Sequence, residues 1–99
     1  MANLRKADIV SRVATMLDTS TAKGEEALNA VLSSIEDALI NGDKVVLTGF
    51  GSFSVKHRMP KKARNPRTGD PIFLPERYVP VFKPSKLMKD TVNKKLIEY

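Results

Sequence analysis

Between Lys56 and Pro71 the chain reads KHRMPKKARNPRTGDP, with Lys56, Arg58, Lys61, Lys62, Arg64 and Arg67 and no acid before Asp70. Apart from its prolines the segment offers only Met59 and Ala63 for burial, too little apolar surface to form one face of a core. It must therefore lie against solvent or a partner. Its turn chemistry is explicit: Asn65-Pro66 initiates a turn, and Thr68-Gly69 lets the backbone take a positive φ before Asp70. The stretch reads as a hairpin. Pro60 and Pro71 fit a ribbon with both outer edges unpaired, because proline has no N–H to give to a ladder. The flanking Ile72, Phe73 and Leu74 are too few to cover it.

Setting the hairpin aside leaves about seventy to eighty residues for a compact body, a size at which one core supplies only a few kcal/mol. In that body Ile9, Val10, Val13, Ala14 and Leu17 recur at spacings of three and four, which predicts a short helix from Ala7 to Leu17. The polar run Asp18 to Thr21 interrupts it, and Ser20 or Thr21 can cap a second helix. There Leu28, Val31, Leu32, Ile35, Ala38 and Leu39 keep the helical period until Asn41-Gly42 supplies a left-handed stop. The period then changes to two in KVVLTGFGSFSV, with Phe53 and Val55 on one face, and strand patterns return in IFL and YVPVF. Gly49 and Gly51, flanking Phe50, predict a bulge or a close backbone approach. A last helix, capped by Ser85, is anchored by Leu87, Met88, Val92 and Leu96. The order is α-α-β-β-β-α, an α+β chain without internal repeats.

The small body implies a partner. The apolar face of the second helix (Leu32, Ile35, Leu39) and that of the strands (Phe50, Phe53, Phe82) are expected to be completed by a second copy, giving an intertwined homodimer.

Charge points to what the hairpin meets. Residues 1–50 set Arg5, Lys6, Arg12, Lys23 and Lys44 against Asp8, Asp18, Glu25, Glu26, Glu36, Asp37 and Asp43, a net −2. The other twelve Lys and Arg face only Asp70, Glu76, Asp90 and Glu98, a net +8 within a total of +6. Such asymmetry suggests a polyanion for the C-terminal half, the plain alternative being a solvated basic face. Two-stranded ribbons fit DNA grooves, and Arg is drawn into the minor groove, where negative potential is focused. Pro66 is open to two readings, an ordinary turn-former after asparagine or a rigid apolar wedge.

Other classes find little support. The chain has no cysteine, which excludes disulfides and thiolate chemistry and fits a reducing cytoplasm. The single histidine, His57, has no carboxylate within several positions, so no catalytic residue is expected and the protein is read as no enzyme. No metal or other cofactor is expected. No apolar run reaches the ~20 residues of a membrane span, and the N-terminus lacks a signal-peptide core.

The motifs GFGSF, ARNPRTGDPI and VPVFKPSKLMKDTVN, in this order, closely resemble the bacterial HU and integration host factor family of DNA-bending proteins. The resemblance runs through nearly the whole chain. It implies one DNA-binding domain, 1–99, in which residues 1–42 form a helical dimerisation base and 43–84 a three-stranded antiparallel sheet. That sheet extends into a long β-hairpin arm at about 57–78, and a short helix occupies 85–99. It also implies that Pro66 intercalates, that Arg64, Asn65 and Arg67 contact the minor groove, and that Lys56, Arg58, Lys61, Lys62 and Arg77 follow the DNA along the arm. Lys6, Lys83, Lys86 and Lys89 match phosphate contacts of the body. Ala63 stands where the family usually has glycine before RNP, and Ser85 replaces the glycine of FKPGK; arm curvature is expected to respond to the first.

The function so implied is a histone-like, nucleoid-associated cytoplasmic protein that bends double-stranded DNA with little sequence preference. Nicked, gapped or kinked DNA should bind more tightly, because its bending is already partly done. The alternatives are a subunit of an integration-host-factor-like heterodimer and an RNA-binding basic protein.

Overall fold

A computed structural model describes residues 2–97. The chain divides into two compact units, residues 1–37 and 38–99.

The first unit holds helix α1 (Lys6–Met16) and most of α2 (Thr21–Ile40). At the start of α1 the Arg5 N–H donates to Asp8 Oδ2 at 2.8 Å, and Asp8 also places negative charge against the positive end of the helix dipole. The helix ends in a Schellman turn: Asp18, at φ +53°, donates its N–H to the Thr15 carbonyl, and Thr19 donates to the Ala14 carbonyl. An aspartate thus takes the left-handed position usually filled by glycine. Ser20 is the residue that caps α2, its Oγ accepting the Lys23 N–H at 3.2 Å. One contact escaped the sequence pattern. Gly24 is buried, and a Cβ built there would lie 2.8 Å from the Ala14 Cβ and 2.9 Å from the Val10 carbonyl oxygen. Val10 and Ala14, the buried apolar residues of the described chain, are those that meet it.

In the second unit α2 stops as expected. Gly42, at φ +82°, donates to the Leu39 carbonyl and Asp43 to the Ala38 carbonyl, the same Schellman pattern. Strands β1 (Val45–Leu47), β2 (Gly51–Arg58) and β5 (Arg77–Pro84) form an antiparallel sheet in the order β1-β2-β5. The expected arm is a second, two-stranded ladder of β3 (Lys61–Arg64) and β4 (Pro71–Leu74). Five strands therefore stand where the sequence pattern gave three. The ladder pauses at Met59-Pro60 and Pro75-Glu76, where the prolines cannot donate to it.

Gly49 and Gly51 do different work around Phe50. Gly49 turns the chain at φ +85°, whereas a Cβ on Gly51 would sit 2.5 Å from the Lys83 carbonyl oxygen and 2.7 Å from the Phe82 ring. That close approach lets Phe82 lie with its ring centroid 4.8 Å from that of Phe53 and 5.5 Å from that of Phe50. Helix α3 (Lys86–Ile97) is tied to the same turn. The Ser85 Oγ accepts the Met88 N–H and donates to the Gly49 carbonyl, while the Ser85 N–H donates to the Phe50 carbonyl. The final two positions of the expected helix 85–99 lie outside the described residues.

The apolar faces read as core are only partly covered within one chain. Leu32 is 44% exposed, Phe50 47% and Phe82 41%, with Ile35, Leu39 and Phe53 half-buried. Of the α3 anchors, Met88 is half-buried, while Leu87, Val92 and Leu96 are exposed within one chain, Val92 and Leu96 lining an open apolar hollow with Met88 and Phe82.

Candidate nucleic-acid interface

The arm pairs Lys61 with Leu74, Lys62 with Phe73, Ala63 with Ile72 and Arg64 with Pro71. Alternation puts Lys62 and Arg64 on one face beside Phe73, and Lys61 and Ala63 on the other beside Leu74 and Ile72. Ala63 and Leu74 are half-buried, so the second face carries what packing the arm has.

The tip is held by its own hydrogen bonds. Asn65 donates its N–H to the Asp70 carbonyl and accepts at its own carbonyl from the Gly69 N–H, both at 2.8 Å. Its side-chain Oδ1 accepts the Arg67 N–H at 2.8 Å, and Thr68 Oγ1 accepts the Asp70 N–H at 3.2 Å. Gly69 supplies φ +76°. Arg64 Nη1 donates to the Gly69 carbonyl at 3.0 Å. Pro66 and Arg67 are exposed at this tip. Asn65, expected from the sequence to contact the groove, has its side-chain oxygen engaged in shaping the loop.

At the arm root the register sets Arg58 directly across from Arg77, and Lys56 across from Val79. Two like charges at one cross-strand position repel, which favours an anion between or beside them. They border an open hollow of about 540 Å³ that His57, Met59, Pro60 and Lys61 also line. Pairing Arg58 with Arg77 required the register, because nineteen positions separate them in the chain. His57 also gains a carboxylate that the linear sequence placed out of reach: Glu76 Oε1 lies 3.4 Å from its Nε2.

The remaining lysines divide between the units. Lys83 lies on β5 opposite Ser52, and Lys86 and Lys89 share one side of the first turn of α3, beside the Ser85 cap. There helix dipole and lysine charge both favour an anion. Lys6, the first residue of α1, belongs to the other unit. Among the described residues no helix is long and apolar enough to cross a membrane, and no group of His, Cys, Asp and Glu side chains is placed to hold a metal.

An α+β chain whose exposed cations concentrate on a narrow β-ribbon, a rigid proline-bearing tip and a lysine-rich helix start defines the class of β-ribbon binders of polyanions. The chain belongs to the bacterial DNA-binding protein family, whose model matches residues 4–93. That family is one of DNA-binding proteins rather than enzymes. The chain is 43% identical to DNA-binding protein HU 1 of Bacillus subtilis over 89 residues, covering 90% of this chain and 97% of that one. It is 41% identical to integration host factor subunit beta of Teredinibacter turnerae over 96 residues, 96% of this chain and 98% of the relative. Its fold matches the Anabaena HU in a cocrystal with DNA at a TM-score of 0.81, with 35% identity over 90% of this chain and 97% of that one. HU from Thermotoga maritima matches at a TM-score of 0.64 and 29% identity, over 90% and 98% of the two chains.

Proposed function

We infer that this protein is a histone-like architectural protein of the nucleoid that binds double-stranded DNA and bends it. The observation that carries the reading is the cationic, proline-tipped arm, set in a fold shared over nine-tenths of the chain with an HU crystallised on DNA. The protein acts as a dimer, in which a second copy covers the apolar faces that one chain leaves open, notably Leu32, Phe50 and Phe82. Residues 1–42 serve as the helical dimerisation base, 43–84 as the sheet with its arm, and 85–99 as the closing helix.

In this mechanism Lys83, Lys86, Lys89 and Lys6 neutralise phosphates on the body, and Lys56, Arg58, Lys61, Lys62 and Arg77 do so along the arm. Counterion release makes the affinity fall steeply with salt. Arg64, Asn65 and Arg67 reach the minor groove, and the Pro66 ring enters a base step. Unstacking costs a few kcal/mol per step and is offset as the bent duplex meets more basic surface. Nicked or kinked DNA lowers that cost and binds more tightly.

End-to-end FRET during a salt titration, on one arbitrary duplex and its nicked form, tests this reading. The nicked duplex should bind more tightly and draw its ends together, with affinity falling as salt rises. Pro66→Ala should keep most of the affinity and lose much of the bend; an unchanged FRET signal rejects the wedge. A site-preferring heterodimer is the second reading, favoured by the 41% identity to an integration host factor subunit. Co-purification of a related chain from the native cell would select it.

A further inference from the structure

The DNA reading leaves His57, the only histidine of the chain, without a role. It is the penultimate residue of β2, directly opposite Tyr78 of β5. The two rings stack at a centroid distance of 4.7 Å and an interplanar angle of 19°. On the connection that leads back into β5, Glu76 places Oε1 3.4 Å from the imidazole Nε2. The imidazole and carboxylate side chains are 39% and 53% exposed, so protons exchange freely with solvent.

These three side chains meet where the β2–β5 ladder ends. Beyond them come Met59-Pro60 on one strand and Pro75 on the other, so the His57–Glu76 contact joins the returning connection to the penultimate residue of β2. Other charges surround the site. Lys56 and Arg58 of β2 and Arg77 of β5 alternate to the opposite sheet face, while Lys61 of β3 lines the same hollow as His57, Arg58 and Arg77. Glu76 is the only acid between Asp70 and Asp90. It is next to Arg77 in the chain, close enough for its field to oppose phosphates drawn to the Arg58/Arg77 pair.

We propose that His57 is a positioning residue that clasps the arm root through Glu76 and Tyr78, and that its protonation strengthens DNA binding. The proposal rests on the reading of the arm as DNA-binding. Imidazole is the side chain that ordinarily changes charge between pH 5 and 8. Once protonated it forms an ion pair with Glu76 and stacks as a cation on the Tyr78 ring. The same proton cancels the field of Glu76 at the root. As pH rises and the proton leaves, Glu76 again opposes the phosphates and the clasp loosens, so affinity falls with increasing pH.

Fluorescence anisotropy with a labelled duplex of arbitrary sequence, at pH 5.5 and pH 8.0 and constant ionic strength, tests this. The unmodified protein should bind about three- to tenfold more tightly at pH 5.5, the scale of an exposed ion pair acting on two arms. His57→Gln should lose that pH dependence while melting as a folded protein. Glu76→Gln should bind more tightly than the unmodified protein at pH 8.0 and respond less to pH. Tight binding with a flat profile, or a His57→Gln profile like the unmodified one, overturns the clasp and leaves the DNA reading standing. Failure to bind duplex at either pH overturns the DNA reading itself, and the proposal with it.

Discussion

The two antiparallel ladders are built from the same backbone bonds and held by different means. In β2–β5 the pairs include Phe53 with Phe82 and Val55 with Pro80, and Gly51 lets the strands close until backbone meets ring. In β3–β4 there are four pairs, one of them made by Pro71, and the tip from Asn65 to Asp70 is held by its own hydrogen bonds. The body ladder is thus fixed by side-chain packing and the arm ladder by turn chemistry. A segment that needs no core can devote its side chains to charge. The arm is therefore able to carry Lys61, Lys62, Arg64 and Arg67 without burying any of them.

Substitutions at three positions should separate these two modes. The largest effect is expected from Gly51→Val, which forces a side chain into the Lys83 carbonyl and the Phe82 ring. It should cost about 3 kcal/mol of stability. Thermal unfolding would show it, and the arm sequence cannot compensate, because the loss is in the body.

Ser85→Ala comes next. It removes both the cap of α3 and the bond to the Gly49 carbonyl, and should lower stability by about 1–2 kcal/mol in denaturant titration, with the arm cations intact. A loss no greater than that of an exposed serine elsewhere would show that the GFG turn holds without its serine.

Arg77→Ala should produce the smallest change in stability and the one of opposite sign. Relieving the repulsion from Arg58 should add about 0.5 kcal/mol. Duplex affinity should nonetheless fall, with the salt dependence shallower by about one phosphate contact per arm. A variant that gains stability and loses DNA affinity would mark the arm root as a place where binding is favoured over folding.

Much of this is legible in the amino-acid sequence. The helical periods of Ile9 to Leu17 and Leu28 to Leu39, the stop at Gly42 and the turn from Asn65 to Gly69 depend on neighbours in the chain, so local spacing is enough to reveal them. The Schellman turn at Asp18 was less visible, since aspartate signals caps and turns more often than a left-handed helix end. Gly24 gave no local signal at all. Its reason is the Ala14 and Val10 of another helix, brought near by folding.

The sequence by itself determined the cationic, uncoverable segment, its turn, the α+β order and the family resemblance, because each is written in composition or in residues a few positions apart. Tertiary structure decided the breaks at Pro60 and Pro75, the facing of Arg58 by Arg77, the double use of Ser85 and the meeting of His57 with Glu76 and Tyr78. Those depend on strand register and on contacts between distant residues. A shift of one residue along a strand would move every side chain to the other face, and only the folded chain fixes which register is taken.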